Sequence, residues 1–206
     1  LTMGFAWVVG GLAQPDAYSS ADDDISDLGA LTASSAWIYN QIGANLTGLL
    51  IVTFALGLWQ ALSPDLLGRV GAGALVVLGV GVFLDGIFRL DCRGIDTGCQ
   101  NESWHADAHK MEGRVTTAAT LVAPIVLAFA FRRLPAWRDT WLPTLAALPA
   151  AIVIGILFSA LGDGAATRAT TFTWTLWLAF IAFRLLQKGQ TIAMERRHED
   201  GAYPAG

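Results

Sequence analysis

Charged residues are scarce in this chain. Asp, Glu, Lys and Arg make up 15% of its 206 residues, against about 25% in an ordinary soluble domain. Hydrophobic residues make up 54%, and the mean hydropathy is +0.50. This composition excludes an ordinary soluble domain and predicts a membrane protein. The sequence also lacks a basic block, and its formal net charge is −4, so no nucleic-acid partner is expected.

Motifs of several large enzyme classes are also absent. The chain has no Walker motif, no dinucleotide-binding glycine pattern and no G-x-S-x-G motif. It has two cysteines and three histidines, so any metal site must use few ligands of these types. The sequence therefore excludes the nucleotide-binding and serine-hydrolase classes that have these motifs. It does not by itself indicate which reaction, if any, the protein catalyses.

The chain instead contains apolar runs separated by short polar segments. In lipid, only helices and closed barrels satisfy the backbone, and no run alternates as a barrel strand does. We therefore predict an all-α polytopic bundle with six membrane helices. The first run covers roughly 20 Å of the ~30 Å hydrocarbon core, so that helix is expected to be incomplete. The six runs extend over about 1–13, 36–62, 70–90, 115–131, 141–161 and 169–186.

Residues 1–190 are predicted to form one transmembrane domain, followed by a polar cytoplasmic tail over residues 191–206. Basic residues divide unevenly between the two sets of connections, with eight on one side and five on the other, where most acidic residues also lie. The positive-inside rule makes the first set cytoplasmic. We thus predict a multi-pass cell-membrane protein with both termini in the cytoplasm and an extracytoplasmic central loop over residues 91–104.

Both cysteines fall in this central loop. Cys92 and Cys99 are seven positions apart, whereas a redox pair is usually spaced C-x-x-C and a cysteine-rich zinc site needs more cysteines. Disulfides persist outside the cytoplasm. The sequence therefore favours a structural disulfide between them.

A polar helical face follows the loop. Ser103 is a good N-cap, so a helix is expected to start after it and to continue into the fourth apolar run. At 100° per residue, His105, His109, Glu112 and Thr116 lie within an arc of about 60°. The polar side chains on this face are therefore expected to point in one direction.

Imidazole and carboxylate groups at this spacing suit a divalent metal such as zinc. The predicted ligands are His105, His109 and Glu112. The H-x-x-x-H pattern has little specificity here, because the best-known zinc helix has Glu after the first His and this chain has Ala106. Two alternatives stay open, which are a metal-free acid–base site and a helix start that is simply hydrogen-bonded to the loop above it.

Acidic residues near this helix are candidates for a further ligand. Asp85 lies inside the third apolar run near its outer end, where an ionisable residue is costly and is a functional candidate. Its structural alternative is a pair with Arg89, one helical turn later. Asp91 and the acidic segment 24–27 are the other candidates on the same side of the membrane.

The order of short motifs along the chain resembles the DUF998 family, a group of uncharacterised bacterial and archaeal six-helix membrane proteins. The motifs are Tyr18-Ser19, Ile25-Ser-Asp-Leu-Gly-Ala30, Asp85-Gly-Ile-Phe88, Asp91-Cys92 and His105-x-x-x-His109-x-x-x-Gly113. The similarity covers nearly the whole chain, and it implies the fold and the membrane location, because the family has no established function.

The polar motifs of that family correspond here to residues on the predicted outer side, and these are the candidate catalytic residues. They are Ser26, Asp85, Asp91, His105 and His109. The chain also resembles, more remotely, membrane hydrolases of the alkaline ceramidase type, which hold zinc with three histidines and use Ser and Asp. It departs from them by having two histidines on the proper side.

Polar residues converge on the outer half of the predicted bundle, and the inner half is almost wholly apolar. This asymmetry favours a binding or accessory membrane protein with an extracytoplasmic-facing polar pocket for a lipid or amphipathic ligand. A subunit of a larger membrane complex is a further expectation. The alternative is a metal-assisted hydrolase that acts on a lipid or amphipathic substrate in the outer leaflet.

Overall fold

The computed structural model describes residues 1–15, 17–63 and 65–202, with side chains up to residue 190. Within these residues the chain is helical and forms no strand. Short 3-10 segments occur at Ser26–Gly29 and Pro135–Thr140, and a π-helical segment, Ile38–Asn45, leads directly into α2. The α-helices are α1 Thr2–Leu12, α2 Leu46–Ala61, α3 Leu66–Asp85, α4 Trp104–Arg133, α5 Trp141–Ser159 and α6 Asp163–Ala202.

Among the described residues, five helical segments are long and apolar enough to cross a membrane, and α1 is a shorter apolar helix. The predicted fold class is therefore confirmed, and the helices are those of a membrane protein. The orientation of the termini stays a prediction from the charge distribution. The five spans are Ile38–Ala61, Leu66–Asp85, Trp104–Arg133, Pro135–Ser159 and Asp163–Gln190.

Helix boundaries differ from the sequence prediction in α3 and α6. The third run was expected to be helical over 70–90, but α3 starts at Leu66, where the Asp65 side chain accepts a hydrogen bond from Gly68 N–H at 2.7 Å. It ends at Asp85, and the chain turns back above it. The sixth run was expected to end near 186, but α6 continues to Ala202. The prediction ended the run where the residues become polar. A polar sequence over 187–202 disfavours a buried segment, but it is compatible with a helix. The side chains of the predicted tail lie outside the described residues.

Helices α2, α3 and α4 form the centre of the bundle, with close packing at glycine. An added Cβ at Gly48 on α2 would lie 2.6 Å from Gly79 O on α3. Small residues allow membrane helices to approach at this distance. The α5–α6 hairpin packs against the centre through buried residues at the end far from the disulfide, including Phe131, Trp137 and Ile181.

A loop, residues 91–103, covers one end of the bundle, and we refer to it as the cap. Its Cys92–Cys99 disulfide confirms the predicted cysteine pairing. The Asn101 side chain accepts from Cys92 N–H at 3.1 Å and donates to Cys92 O at 3.2 Å. Arg93 forms an ion pair with Asp96 at 2.7 Å. The cap is therefore stabilised internally by a disulfide, hydrogen bonds and an ion pair.

Replacing Cys92 with serine is expected to destabilise the protein by about 2.5 kcal/mol, because the disulfide closes a loop of about eight residues. Thermal unfolding in detergent micelles measures the change. Reducing agent is the control, since it should lower the unfolding temperature of the wild type and leave that of the variant unchanged. Equal unfolding temperatures for the wild type and Cys92→Ser would contradict the structural role.

Candidate functional site

An acidic residue at the end of α3 meets a histidine near the start of α4. Asp85 Oδ1 lies 3.2 Å from His109 Nδ1, and the two side chains are 15% and 14% exposed. His109 Nδ1 also lies 3.0 Å from Phe88 O. Because a carbonyl oxygen can only accept a hydrogen bond, Nδ1 is the donor to Phe88 O. Tyr39 donates its hydroxyl to Asp85 Oδ2 at 2.7 Å.

Glu112 joins this pair from the next turn of α4. Its carboxyl group lies beside that of Asp85, and its Oε2 accepts from the Thr116 hydroxyl at 3.1 Å. Gly81 on α3 makes room for this polar face, because an added Cβ there would overlap the Thr116 hydroxyl. One ligand atom each from Asp85, His109 and Glu112 lies within 4.8 Å of the others. We refer to these three residues as the Asp85 cluster.

The predicted metal set of His105, His109 and Glu112 is not the set that meets in this cluster. His105 donates Nδ1–H to Arg89 O at 2.8 Å, and its Nε2 lies 3.6 Å from Asp91. The two histidines bind successive carbonyl groups of the turn after α3, and each therefore faces a different acid. Asp85 takes the place that the prediction gave to His105.

Asp91 belongs to the His105 side of this arrangement. Its carboxylate accepts a hydrogen bond from Ser103 N–H at 2.9 Å. Hydrogen bonds from the Ser103 hydroxyl and amide lower the pKa of Asp91. The carboxylate thus fixes the residue that caps α4, where the Ser103 hydroxyl accepts from Ala106 N–H at 3.2 Å. His105 and Asp91 form a second acid–imidazole pair above the Asp85 cluster.

Ser26 lies in the 3-10 segment Ser26–Gly29. Among the described residues, no hydrogen bond joins it to either histidine. Its neighbour Asp27 is buried and accepts from Gly94 N–H at 3.1 Å, and burial raises the pKa of Asp27. The acidic segment therefore anchors the cap at Asp27 and does not supply a ligand to the Asp85 cluster.

Among the described residues, the structural alternative for Asp85, which was a pair with Arg89, does not form. Arg89 donates to Gly29 O at 2.8 Å and to Ala30 O at 2.9 Å. The pairing assumed that α3 continues past Arg89, but α3 ends at Asp85, and the turn carries the guanidinium to the preceding connection. The contacts of Asp85 are therefore with Tyr39 and with side chains of α4.

Sequence reasoning missed Tyr39 and the π-helical segment that carries it. In this segment Asn45 donates to Phe83 O at 2.6 Å, and Asn40 donates to Gly29 O at 3.1 Å. The Asn45 amide holds the segment against α3, and the Asn40 amide ties it to the 3-10 segment Ser26–Gly29. This placement brings the Tyr39 hydroxyl to Asp85. A signal was present, because Tyr39 stands beside Asn40 in an apolar run at the depth of Asp85.

Two cavities flank the Asp85 cluster. One is a groove of about 430 Å³ between α3 and α4, and Glu112 lines it together with apolar residues. The other is an internal cavity of about 640 Å³, which Thr116 lines together with residues of the remaining helices. Glu112 and Thr116, which are hydrogen-bonded to each other, therefore separate the two spaces.

A family model described as "Protein of unknown function (DUF998)" matches residues 2–184. No curated protein matches the chain, and no solved structure matches it. The family match agrees with the resemblance carried by the short motifs around Asp85, His105 and His109.

Proposed function

This chain belongs to the DUF998 family, and from its candidate site we propose that it binds an amphipathic molecule of the membrane through Glu112. The main observation that supports the proposal is the lining of the groove. Among the described residues, Glu112 is the one ionisable side chain lining the groove of about 430 Å³ between α3 and α4. Ligand pockets typically have about 300–1,000 Å³ of space, mostly apolar walls and a few placed polar groups.

The groove walls indicate the apolar part of the ligand. They consist of aliphatic and aromatic side chains on the cap-side halves of α3 and α4, and several of these side chains face the lipid. A hydrocarbon chain fits this surface, because burying it removes no hydrogen-bonding group from water. The residues are Val76, Val77, Val80, Gly81, Leu84, Phe88, Ala108, Met111 and Val115.

The polar part of the ligand follows from the hydrogen bonds of Glu112. Thr116 donates to Oε2, and the Asp85 carboxyl group lies beside the same carboxyl group. Asp85 itself is engaged by Tyr39 and His109. The cluster is thus held in place from the protein side, and a carboxyl group facing an apolar groove is best complemented by a hydrogen-bond donor or a cation. A long-chain amine or alcohol has this chemistry.

Replacing Glu112 with glutamine is expected to weaken binding of a nitroxide-labelled long-chain amine by about tenfold, because a hydrogen bond to a charged group is lost. The measurement is electron paramagnetic resonance of the protein in phosphatidylcholine vesicles. Glu102→Gln is the matched control, since Glu102 is exposed in the cap and lies outside the groove. Equal binding by both variants and the wild type would refute the proposal.

A second candidate function is metal-assisted hydrolysis of an ester or amide in an amphipathic substrate. The observation in its favour is the approach of three ligand atoms, from Asp85, His109 and Glu112, to within 4.8 Å of one another. Catalytic zinc usually has three protein ligands of N and O type and an open position for water. A metal ion bound here would be held by one oxygen each from Asp85 and Glu112 and by one nitrogen of His109.

Metal analysis of purified protein separates this candidate from simple binding. If the cluster holds zinc, we expect about one zinc per chain in the wild type. We expect His109→Ala to lose most of this zinc, because it removes one of the three protein ligands of the site. His105→Ala is the control, because His105 faces Asp91 and should leave the zinc content unchanged. Wild-type protein without zinc after loading, or equal loss in both variants, would exclude the Asp85 cluster as a zinc site.

A further inference from the structure

The internal cavity of about 640 Å³ lies in the cap-side half of the bundle, apart from the Glu112 groove. Helices α2, α3 and α4 form one wall, and the α5–α6 hairpin forms the other. Its lining on α6 extends from Ala166 to Leu178 and on α5 from Leu148 to Ile156. The hairpin therefore meets the centre of the bundle tightly at the far end and leaves a space at the cap-side end.

Other parts of the protein lie at both ends of this space. Toward the cap, the start of α6 is tied to the connection after α1, because Ala165 N–H donates to Ala21 O at 2.7 Å and Arg168 donates to Ser20 O at 2.7 Å. Toward the far end, the buried side chains of Trp177 and Ile181 pack into the main core. A ligand can therefore enter from the side, through the wall of the bundle.

The side opening lies between α4 and α5. Three of the lining residues there are substantially exposed, namely Leu121 at 43%, Ile152 at 53% and Ile156 at 66%. These residues belong to helices that cross the membrane, so the surface they expose faces lipid chains. The cavity is thus open toward the hydrocarbon region of the bilayer.

The cavity contains many threonines, and most of their hydroxyl groups are already hydrogen-bonded. On α6, Thr167, Thr171 and Thr175 each donate to the carbonyl four residues earlier, all at 2.9 Å. On α4, Thr120 donates to Thr116 O at 2.8 Å. Threonine that bonds back to its own helix turns its polar atom away from a neighbour. These residues therefore offer methyl groups to the cavity, which selects an apolar occupant.

The length of the cavity matches one leaflet. From Ala166 to Leu178, α6 rises about 18 Å at 1.5 Å per residue. The hydrocarbon core is about 30 Å thick, so the chains of one leaflet reach about 15 Å. A second protein helix is too wide for a space of about 640 Å³, whereas a single hydrocarbon chain fits both its length and its walls.

We propose that this cavity is a binding site for one hydrocarbon chain of a phospholipid from the cap-side leaflet, which enters between α4 and α5. The proposal goes beyond ligand binding at Glu112, because it concerns a different space with a different opening. A lipid bound here supports the α5–α6 hairpin by filling the gap between it and α3. The two sites can be tested separately, since neither requires the other to be occupied.

The test uses a phosphatidylcholine that carries a photoreactive diazirine at the end of one chain, in vesicles that contain the full-length protein. After irradiation, mass spectrometry locates the labelled residues. We expect labelling at Trp174 and Leu178, which line the cavity, as well as at Phe172 and Leu176, which are each 55% exposed on the outside of α6. Labelling confined to Phe172 and Leu176 would overturn the proposal.

Filling the cavity supplies the second arm of the test. Ala151 lines the cavity and is buried, whereas the adjacent Ala150 is exposed on the same helix. In Ala151→Phe we expect labelling of Trp174 and Leu178 to fall about tenfold, because excluding two methylene groups already weakens apolar binding by that factor. Ala150→Phe is the matched control and should label as the wild type does. Equal labelling in both variants would contradict chain binding.

A second pair of variants guards against a folding defect in Ala151→Phe. Thr120→Phe fills the cavity from α4, and Ala118→Phe places the same ring on an exposed position of that helix. The same tenfold loss is expected in Thr120→Phe alone. Cross-linking between two protein copies at Trp174 would instead identify a second chain as the occupant and refute the lipid site. Unchanged binding of the long-chain amine in Thr120→Phe would show that the Glu112 groove is intact.

Discussion

Replacing Gly48 with alanine is expected to destabilise the bundle by about 3 kcal/mol, at the upper end of the usual cost of overpacking. An added Cβ at Gly48 would lie 2.5 Å from Phe83 N and 2.6 Å from Gly79 O, and both atoms belong to the backbone of α3. A backbone cannot rotate away as a side chain can, so α2 and α3 must separate. The separation also weakens the dispersion contacts that hold membrane helices together. Reversible unfolding in mixed detergent micelles measures the effect.

Gly113→Ala is the matched control for this prediction. Nothing lies within 4 Å of a Cβ added at Gly113 on α4. There the substitution only removes the entropic cost of glycine in a helix, so we expect stability to rise by roughly 0.5–1 kcal/mol. Opposite signs for the two variants separate helix packing from helix propensity. A similar change in both would show that the close approach of α2 and α3 does not limit stability.

Replacing Asp85 with alanine is expected to cost about 3 kcal/mol. Hydrogen bonds between membrane helices average about 0.6 kcal/mol and reach about 1.7 kcal/mol. Asp85 accepts from Tyr39, lies 3.2 Å from His109 and is close to Glu112. Its loss leaves the Tyr39 hydroxyl and the Glu112 carboxyl group without this partner in a largely buried place. An unsatisfied polar group costs more than an average hydrogen bond contributes. The same micelle unfolding assay measures the change.

Asp107→Ala is the control for Asp85→Ala. Asp107 lies on the outer side of α4, 69% of its side chain is exposed, and it pairs with Lys110 at 3.2 Å. Exposed ion pairs contribute about 0–1 kcal/mol, so this variant should unfold close to the wild type. If Asp85→Ala unfolded like Asp107→Ala, the prediction that Asp85 stabilises the bundle would be wrong. Ligand or metal binding would then be the remaining role for the Asp85 cluster.

The sequence alone determined the membrane class, the all-α bundle, and the pairing of Cys92 with Cys99. These features follow from local quantities, namely the apolar length of each run and the position of both cysteines in one loop. Helical periodicity also placed His105, His109 and Glu112 on one face of α4, and the depth of Asp85 in its run marked it as a functional candidate. Each of these inferences needs only the residues within one element.

The tertiary structure decided which of these groups meet. Because α3 ends at Asp85 and the chain turns above it, His109 faces Asp85 while His105 faces Asp91, and no periodicity within α4 could divide the two histidines in this way. The π-helical segment likewise brings Tyr39 to the cluster from another helix. Contacts between elements depend on where each helix ends and how the elements are spaced in three dimensions, and the sequence of one element does not contain that information.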